Sequence, residues 1–269
     1  MEQIFLAFLH GATLVAVSKD RILDPVDFTK VLQEYAITHI HATPSYLEHL
    51  DDLSGCKDLR RIIAGGEACT KNLAQKLYAV ADFYNEYGPT ETTISSTMCK
   101  VDESHLENDI ISIGTPVTNT EVYILSDDLS LQPIGVYGEL CISGDGLSRG
   151  YLHQEELTKE KFVTHPFIEG ARLYKTGDVA RWLSDGTIEF LGRKDDQVKV
   201  RGYRIELGEI ENALSSQEII NQCVVVVKEV EGDQAIVAYI VGNNPIDKQE
   251  LRIKLSDQLP DYMLPNYYV

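Results

Sequence analysis

The residues of this chain most suited to chemistry lie in polar segments built around glycine. The first is Asn85-Glu86-Tyr87-Gly88-Pro89-Thr90-Glu91, in which Gly-Pro forces a tight turn after a β-like run. The turn presents an aromatic face, a hydroxyl and a carboxylate together. These groups suit stacking on a base, contact with a phosphate and ligation of Mg²⁺ through oxygen. An ordinary surface turn would give the same pattern.

Two further segments carry glycine beside polar groups. The glycines of residues 138–152 approach a dinucleotide fingerprint, but their spacing differs and no long helix is expected after them, so closely packed turns explain most of this segment. In Tyr174-Lys175-Thr176-Gly177-Asp178, an Asp after a glycine turn at a strand start could accept hydrogen bonds from two ribose hydroxyls. A locally satisfied turn Asp is the alternative interpretation.

A fourth segment, residues 192–211, is rich in alternating positive and negative charges and lies between two regions with different sequence patterns. It predicts a hinge, which either is merely solvated or moves and contacts a ligand. His39 and His41 would share one face of a strand, but no third ligand lies nearby in the sequence, which favours ordinary core or pocket histidines over a metal site.

Strands and helices that would position these segments alternate over residues 1–110. Apolar spacing predicts helices at 28–35 and 69–80 and strands at 37–42 and 59–64, which is typical of an α/β layer with a largely parallel sheet. The first twenty residues resemble a signal peptide, but Glu2 replaces a basic start and Gln3 and His10 interrupt the apolar run. They predict a core helix followed by a strand.

The remaining chain predicts two more parts. Residues 111–192 contain short β-rich runs at 122–125, 139–142, 179–183 and 187–191, the last two joined by a hairpin at Asp185-Gly186, and they predict a small barrel-like subdomain. Residues 193–269 predict an α+β domain with helices at 206–214 and 247–258 and strands at 223–230 and 235–241. The sequence therefore predicts an α/β protein in three parts, 1–110, 111–192 and 193–269.

The amino-acid composition limits which classes of partner and which cellular environment suit this chain. The 42 acidic and 24 basic residues give a net charge of −18, which disfavours nucleic acid as a partner. No apolar run approaches the ~20 residues of a membrane span. The five scattered cysteines include no CxxC pair and suit a reducing cytoplasm.

Taken together and in order, five segments resemble the core motifs of the adenylate-forming superfamily. They are NEYGPTE, GELCISGDGLSRGYL, YKTGD, GRKDDQVKVRGYRIELGEIE and LPDYMLP, and the resemblance covers essentially the whole chain. The specific resemblance is to amino-acid adenylation domains of nonribosomal peptide synthetases, because acyl-CoA ligases have a different sequence where this chain has RIELGEIE. The resemblance implies a partial adenylate-forming fold, with an α/β sheet layer, a small β-barrel-like subdomain and a C-terminal α+β lid.

The resemblance also implies roles for individual residues. Gly66, Glu67 and Ala68 would edge the adenine, with Asn85 hydrogen-bonding it, Tyr87 stacking on it and Phe190 standing beside it where the family often has Tyr. Thr90 would contact the α-phosphate, Glu91 would bind Mg²⁺, and Asp178 would hold the ribose with Arg193. Asp195 would be the hinge, Lys199 would lie near the nucleotide, and Gly202 would face the carrier-protein active site after rotation.

A side-chain pocket for the amino acid is implied as well. Its positions are Glu2, His41, Ile63, Gly65, Glu86, Ile94 and Ser95. Two carboxylates facing one pocket favour a cationic guest, because burying them unpaired costs several kcal/mol, so the expected substrate is a basic or polar amino acid.

The implied reaction has two halves. An amino-acid carboxylate attacks the α-phosphate of ATP and releases pyrophosphate, and the phosphopantetheine thiol of a peptidyl carrier protein then attacks the aminoacyl-adenylate. Neighbouring synthetase domains are further implied partners. The family's phosphate loop with its lysine, the Asp that holds the α-amino group and the NGK-type lysine are absent from these 269 residues, which are therefore expected to be inactive alone. The alternatives are an acyl-CoA ligase of the same superfamily and a non-catalytic docking remnant.

Overall fold

The computed structural model describes residues 2–50, 52–107, 111–194, 197–217, 219–230, 233–242 and 246–269. The chain divides into two compact units, Met1–Gly192 and Arg193–Val269. Over the described residues, no helix combines the length and the apolar character needed to cross a bilayer.

The first unit begins with a five-stranded sheet in the order β1-β2-β3-β4-β5. Its first three strands are parallel to one another, and β4 and β5 join antiparallel. The strands are β1 (His39–Ala42), β2 (Arg61–Gly65), β3 (Asp82–Tyr87), β4 (Thr97–Lys100) and β5 (Thr115–Pro116). The helices of this part are α1 (Glu2–Leu9), α2 (Lys19–Leu23), α3 (Pro25–Glu34), α4 (Pro44–Glu48), α5 (Lys71–Tyr78) and α6 (Glu103–Glu107), with a 3₁₀ turn at Thr90–Thr92.

Helix starts in this part follow from short polar side chains. The Asp24 carboxylate accepts hydrogen bonds from the backbone N–H groups of Val26 and Asp27, and Pro25 occupies the first helical position of α3. The Thr70 hydroxyl caps α5 by accepting from the N–H of Leu73. The strand–helix alternation predicted for this region is therefore present, with bounds shifted by a few residues.

The two faces of this sheet have different surroundings. Side chains alternate along a strand, so Ile40, Ile62, Ala64 and Phe83 point together into a core formed with Leu77 and other helix residues. The intervening residues of the same three strands point to the opposite face. That second face carries the candidate site.

A second sheet completes the first unit. Its strands are β6 (Thr120–Leu125), β7 (Gly138–Gly144), β8 (Phe162–Thr164), β9 (Arg172–Trp182) and β10 (Ile188–Arg193), with α7 (Glu155–Lys161) before β8. The pairing order is β10-β9-β7-β6, with β8 also on β9. Over the described residues the path runs from β10 to β6, and it forms the β-rich subdomain that the sequence predicted for residues 111–192. The predicted Asp185-Gly186 turn joins β9 to β10, with Gly186 at φ +84°.

An irregularity in β9 corrects another expectation. Glu139 and Cys141 of β7 are two residues apart, but their partners Val179 and Lys175 are four residues apart, so β9 bulges over residues 176–178. Asp178 therefore lies inside an eleven-residue strand and not at a strand start. The bulge is satisfied internally, because the Thr176 hydroxyl donates to the Leu140 carbonyl at 2.6 Å.

The second unit is an α+β module. Its elements are β11 (Gln197–Val200), β12 (Tyr203–Glu206), α8 (Leu207–Ser215), β13 (Ile220–Val230), β14 (Asp233–Gly242), α9 (Lys248–Ser256) and β15 (Tyr267–Tyr268), with a 3₁₀ turn at Asp261–Met263. β11 and β12 form a hairpin, and the other strands form a sheet in the order β13-β14-β15. Its core includes Ile205, Ile210, Leu214, Leu251 and Leu255, all fully buried.

The N-terminal expectation is wrong in two respects. The apolar side chains of α1 are exposed, with Phe8 at 64% and Leu9 at 77%, so α1 is not a core helix in this structure. Residues 12–17 form no strand, because no described strand lies beside them to complete a hydrogen-bonded ladder.

Candidate functional site

A pocket of 280 Å³ opens at the carboxyl ends of the parallel strands β1, β2 and β3. Crevices in this position are where ligands bind in open α/β sheets, because the strand ends and the loops after them converge there. The pocket is lined by His41, Gly65, Gly66, Glu86, Gly88, Thr90 and Ile94.

The strand register explains why three of these residues meet. His41 pairs with Ile63, and Gly65 pairs with Glu86, so all four belong to the sheet face opposite the core. A side chain at Gly65 would bring its Cβ within 3.1 Å of His41 Nε2. Glycine here leaves the space between the imidazole and the carboxylate open.

Glu86 places a buried carboxyl group in this pocket. Glu86 is only 5% exposed. Its Oε1 atom accepts a hydrogen bond from Ser95 Oγ at 2.6 Å, and its Oε2 atom lies 3.8 Å from His41 Nε2. Removing a carboxylate from water is costly unless nearby groups compensate its charge. The pocket therefore has a polar end that would complement a positively charged or hydrogen-bonding guest.

The remaining pocket wall is a strained turn. Thr93 and Ile94 both have left-handed backbone angles, φ +61° and +76°, which is unusual for β-branched residues. Ile94 also approaches Gly88 so closely that a Cβ on Gly88 would lie 1.8 Å from the Ile94 carbonyl oxygen. Gly88 is a pocket residue for which the sequence assigned no role, although its Gly-Pro signal was noted.

Tyr87 and Asp178 form a buried pair beside this pocket. The Tyr87 hydroxyl donates to Asp178 Oδ2 at 2.5 Å, and the two residues are 5% and 3% exposed. Burial, reinforced by the Asp178 charge, raises the pKa of Tyr87 well above its usual value. The Phe190 ring lies 5.9 Å from the Tyr87 ring.

Other predicted nucleotide contacts have partners within the protein. Asn85 Nδ2 donates to the Ser112 carbonyl at 2.9 Å, and Glu67 Oε2 accepts from the Ser45 N–H at 2.9 Å at the start of α4. Glu91 Oε1 accepts from the Tyr151 hydroxyl at 2.7 Å. These three residues do not line the pocket, and their assigned roles stay predictions.

The other predicted site residues fall into three groups. Six of them line the pocket: His41, Gly65, Gly66, Glu86, Thr90 and Ile94. Ser95 donates a hydrogen bond to Glu86, Ile63 is buried on β2, and Ala68 is exposed in the loop after β2. Arg193 ends β10, Lys199 pairs with Arg204 in the β11–β12 hairpin, and Gly202 is in its turn at φ +78°. Asp195 and the side chain of Glu2 lie outside the described residues.

In the described part of the chain, no three His, Cys, Asp or Glu side chains converge in a metal-binding arrangement. His39 and His41 lie two residues apart on β1 and so share one face of the strand, and His41 lines the pocket.

Two thiols near the first sheet give a pH prediction. Burial raises the pKa of Cys69 and of Cys99 from 9.0 to about 12. The folded state therefore keeps protons that the unfolded state releases, so the free energy of unfolding should fall as the pH rises above ~9, by about 1.4 kcal/mol per pH unit for each thiol. Urea unfolding at about pH 8 and about pH 10.5 measures this fall.

The double variant Cys69→Ala, Cys99→Ala isolates the contribution of the thiols. It should be less stable than the parent at the lower pH, because a core side chain and a partly buried one are truncated. It should lose less stability on going to the higher pH. Equal losses in the two proteins would contradict the prediction.

Comparison with known proteins places the chain in a family. Residues 1–152 match the family model described as AMP-binding enzyme, and residues 209–269 match that of the AMP-binding enzyme C-terminal domain. The chain therefore belongs to the family of AMP-binding enzymes. The superfamily predicted from the five sequence motifs is confirmed.

Particular relatives are peptide synthetases. The chain is 48% identical to tyrocidine synthase 3 of Brevibacillus parabrevis over 273 residues, and 47% identical to bacitracin synthase 1 of Bacillus licheniformis over 272 residues. Each match covers 99% of this chain but only 4% and 5% of the relative. The chain thus spans a small part of the curated relatives it matches.

Solved structures agree with the α/β fold. An NRPS protein containing adenylation and PCP domains matches with a TM-score of 0.86 and 28% identity, covering 99% of this chain and 54% of that one. A four-domain nonribosomal peptide synthetase bound to AMP and glycine matches at 38% identity with a TM-score of 0.64, covering 96% and 20%. The predicted partial adenylate-forming fold is confirmed.

Proposed function

We propose that this chain is the part of an amino-acid adenylation domain that recognises the amino-acid side chain and the nucleotide. In the whole protein, ATP and an amino acid would form an aminoacyl-adenylate and pyrophosphate, and a carrier-protein phosphopantetheine thiol would then receive the aminoacyl group with release of AMP. The observation that carries this proposal is the pocket at the carboxyl ends of β1, β2 and β3, which joins Glu86 to the turn containing Thr90.

The pocket also supports a substrate class. A buried carboxylate held beside an imidazole and a serine hydroxyl is complementary to an ammonium group or to a neutral hydrogen-bonding side chain. A large apolar side chain would offer Glu86 neither an opposite charge nor a hydrogen-bond donor. We therefore propose a basic or polar amino acid as the substrate.

Nucleotide contacts are proposed for residues around the same strand ends. Tyr87, Asp178 and Phe190 are close together, so aromatic rings and a carboxylate of the kinds that bind a nucleoside occur in one place. Glu91 has the chemistry that Mg²⁺ prefers, an oxygen donor next to Thr90, and Mg²⁺ usually combines one or two carboxylates with substrate phosphates. Mg²⁺ would neutralise phosphate charge when bound. Tyr151 holds the Glu91 carboxylate through its hydroxyl.

Amino-acid-dependent exchange of pyrophosphate into ATP tests the proposal in the full-length protein that carries this chain. The panel includes lysine, ornithine, arginine, glutamine, serine, leucine and phenylalanine. We expect exchange with at least one basic or polar amino acid, and background exchange with the isolated 269-residue chain.

The possible outcomes are separable. Preference for leucine or phenylalanine would contradict the substrate class but keep the activity. CoA thioester formation with a carboxylic acid in place of amino-acid exchange would select an acyl-CoA ligase. Absence of exchange with every amino acid would overturn the proposed function.

A further inference from the structure

The turn that lines the pocket contacts a loop more than fifty residues away in the sequence. We call residues 144–151, in the glycine-rich segment after β7, the clamp loop. The Thr93 hydroxyl donates to the Gly146 carbonyl at 2.6 Å, the Ser148 N–H donates to the Glu91 carbonyl at 2.8 Å, and the Tyr151 hydroxyl donates to Glu91 Oε1 at 2.7 Å. Hydrogen bonds thus join the clamp loop to the turn at both backbone and side-chain atoms.

The turn itself is in a conformation that it would not adopt without support. Thr93 and Ile94 are consecutive left-handed residues, and the Ser95 N–H donates back to the Thr93 carbonyl at 3.1 Å. Such backbone angles cost roughly 1–3 kcal/mol per residue and persist only where surrounding contacts fix them. Ile94 lines the pocket and Ser95 bonds Glu86, so the strained segment is the one that reaches the site.

The clamp loop is anchored independently of the turn. Arg172 donates from Nη2 to the Ser148 carbonyl at 2.8 Å and from Nη1 to the Arg149 carbonyl at 3.1 Å. At the end of the loop, the Tyr151 N–H donates to Thr158 Oγ1 on α7 at 2.9 Å. The clamp loop is therefore held by β9 and α7 through contacts that do not involve the turn.

Close packing between the two segments requires glycine. A Cβ on Gly146 would lie 2.7 Å from the Thr92 carbonyl oxygen, which is closer than real Cβ atoms come. Burial also raises the pKa of the Tyr151 hydroxyl, so this group keeps its proton and remains a donor to Glu91. The glycine-rich segment thus has a structural task beyond turning the chain.

We propose that the clamp loop holds the strained turn in the shape that recognises the amino acid, which makes Thr93 a positioning residue for Ile94 and Ser95. Tyr151 is a positioning residue for Glu91, which belongs to the same turn. Neither Thr93 nor Tyr151 lines the pocket. The effect on substrate recognition rests on the proposed function. The structural part of the proposal, that the clamp loop stabilises the turn, is independent of the proposed function. We call it the mechanical part.

Hydrogen–deuterium exchange on the 269-residue chain tests the mechanical part. Thr93→Val keeps the shape of the side chain but removes the hydrogen bond to Gly146, and Tyr151→Phe removes the one to Glu91. The Ser95 amide should exchange about tenfold faster in T93V, because local opening of the turn becomes less costly. Amides of residues 91–93 should exchange faster in Y151F.

Tyr123→Phe is the matched control. The Tyr123 hydroxyl donates to Glu121 Oε2 at 2.8 Å on β6, so Y123F also removes one tyrosine–glutamate hydrogen bond but leaves the turn alone. Exchange of the Ser95 amide should be unchanged in Y123F. An unchanged Ser95 amide in T93V as well would overturn the proposal.

Kinetics on the full-length protein test the effect on recognition. In T93V, KM for the amino acid should rise about fivefold while KM for ATP stays within about twofold, since only the amino-acid pocket loses its positioned wall. Faster amide exchange with an unchanged amino-acid KM would sink the role in recognition. A parent protein without amino-acid-dependent exchange would instead refute the proposed function, and the amide measurement would still decide whether the loop supports the turn.

Discussion

Replacing Glu86 by Gln in the full-length protein is expected to lower kcat/KM for a cationic amino acid by ~10²-fold, equivalent to about 3 kcal/mol. The amide keeps the size of the side chain and can still accept a hydrogen bond from Ser95 Oγ, which is 2.6 Å from Oε1. The change therefore removes the charge and little else. Exchange with a neutral polar amino acid should be maintained or improved, and KM for ATP should not change.

Glu121→Gln provides the control for this prediction. It makes the same chemical change and the same change in net charge, but Glu121 is exposed on β6, away from the pocket. Its kinetics should match the parent. If E86Q activated cationic and neutral amino acids in the same ratio as the parent, the carboxylate would not determine the substrate class.

The second large effect concerns the stability of the first unit. Asp178→Ala is expected to lower its free energy of unfolding by about 2–3 kcal/mol, because the buried Tyr87 hydroxyl would lose a charged acceptor. Tyr87→Phe should also be destabilising, because the buried Asp178 carboxylate would lose the tyrosine hydroxyl as a donor. In the double variant the two losses should not add, and the coupling energy should be about 1–3 kcal/mol.

Urea unfolding of the four proteins in this double-mutant cycle measures the coupling. The exposed Tyr123–Glu121 pair has a similar hydrogen bond of 2.8 Å and serves as the control cycle, with an expected coupling below about 1 kcal/mol. Additive losses at Tyr87 and Asp178 would show that the buried hydrogen bond does not connect the two sheets energetically.

Local patterns were sufficient to predict the elements that place the pocket. Strands were predicted at 37–42 and 59–64, with a β-like run before the turn at Gly88-Pro89, and the alternation of strands with helices predicted a largely parallel sheet; β1, β2 and β3 are those strands. The four predicted pocket positions that line the cavity are His41, Gly65, Glu86 and Ile94.

Long-range contacts were not predictable in the same way. Tyr87 and Asp178 are 91 residues apart, and only the bulge in β9 brings the Asp178 carboxylate to the tyrosine hydroxyl. The left-handed angles at Thr93 and Ile94 contradict local preference, because β-branched residues avoid them. They depend on contacts with the clamp loop that no local pattern contains. The strand expected after α1 failed for the related reason that a strand also needs a neighbour.

The division of three strands into a core face and a pocket face has a consequence for how such a protein can change. Residues on the core face, such as Ile62 and Phe83, are completely buried, whereas Ile63 on β2 and Glu86 on β3 face the other way. A substitution at an alternate position can therefore alter what the cavity accepts while the hydrophobic packing behind it stays the same. Insertion of a single residue into β3 would have the opposite result, because it would exchange the two faces and place a carboxylate among the leucines. This fold can therefore acquire new substrate preferences by point substitution, but not by a change in the length of a strand.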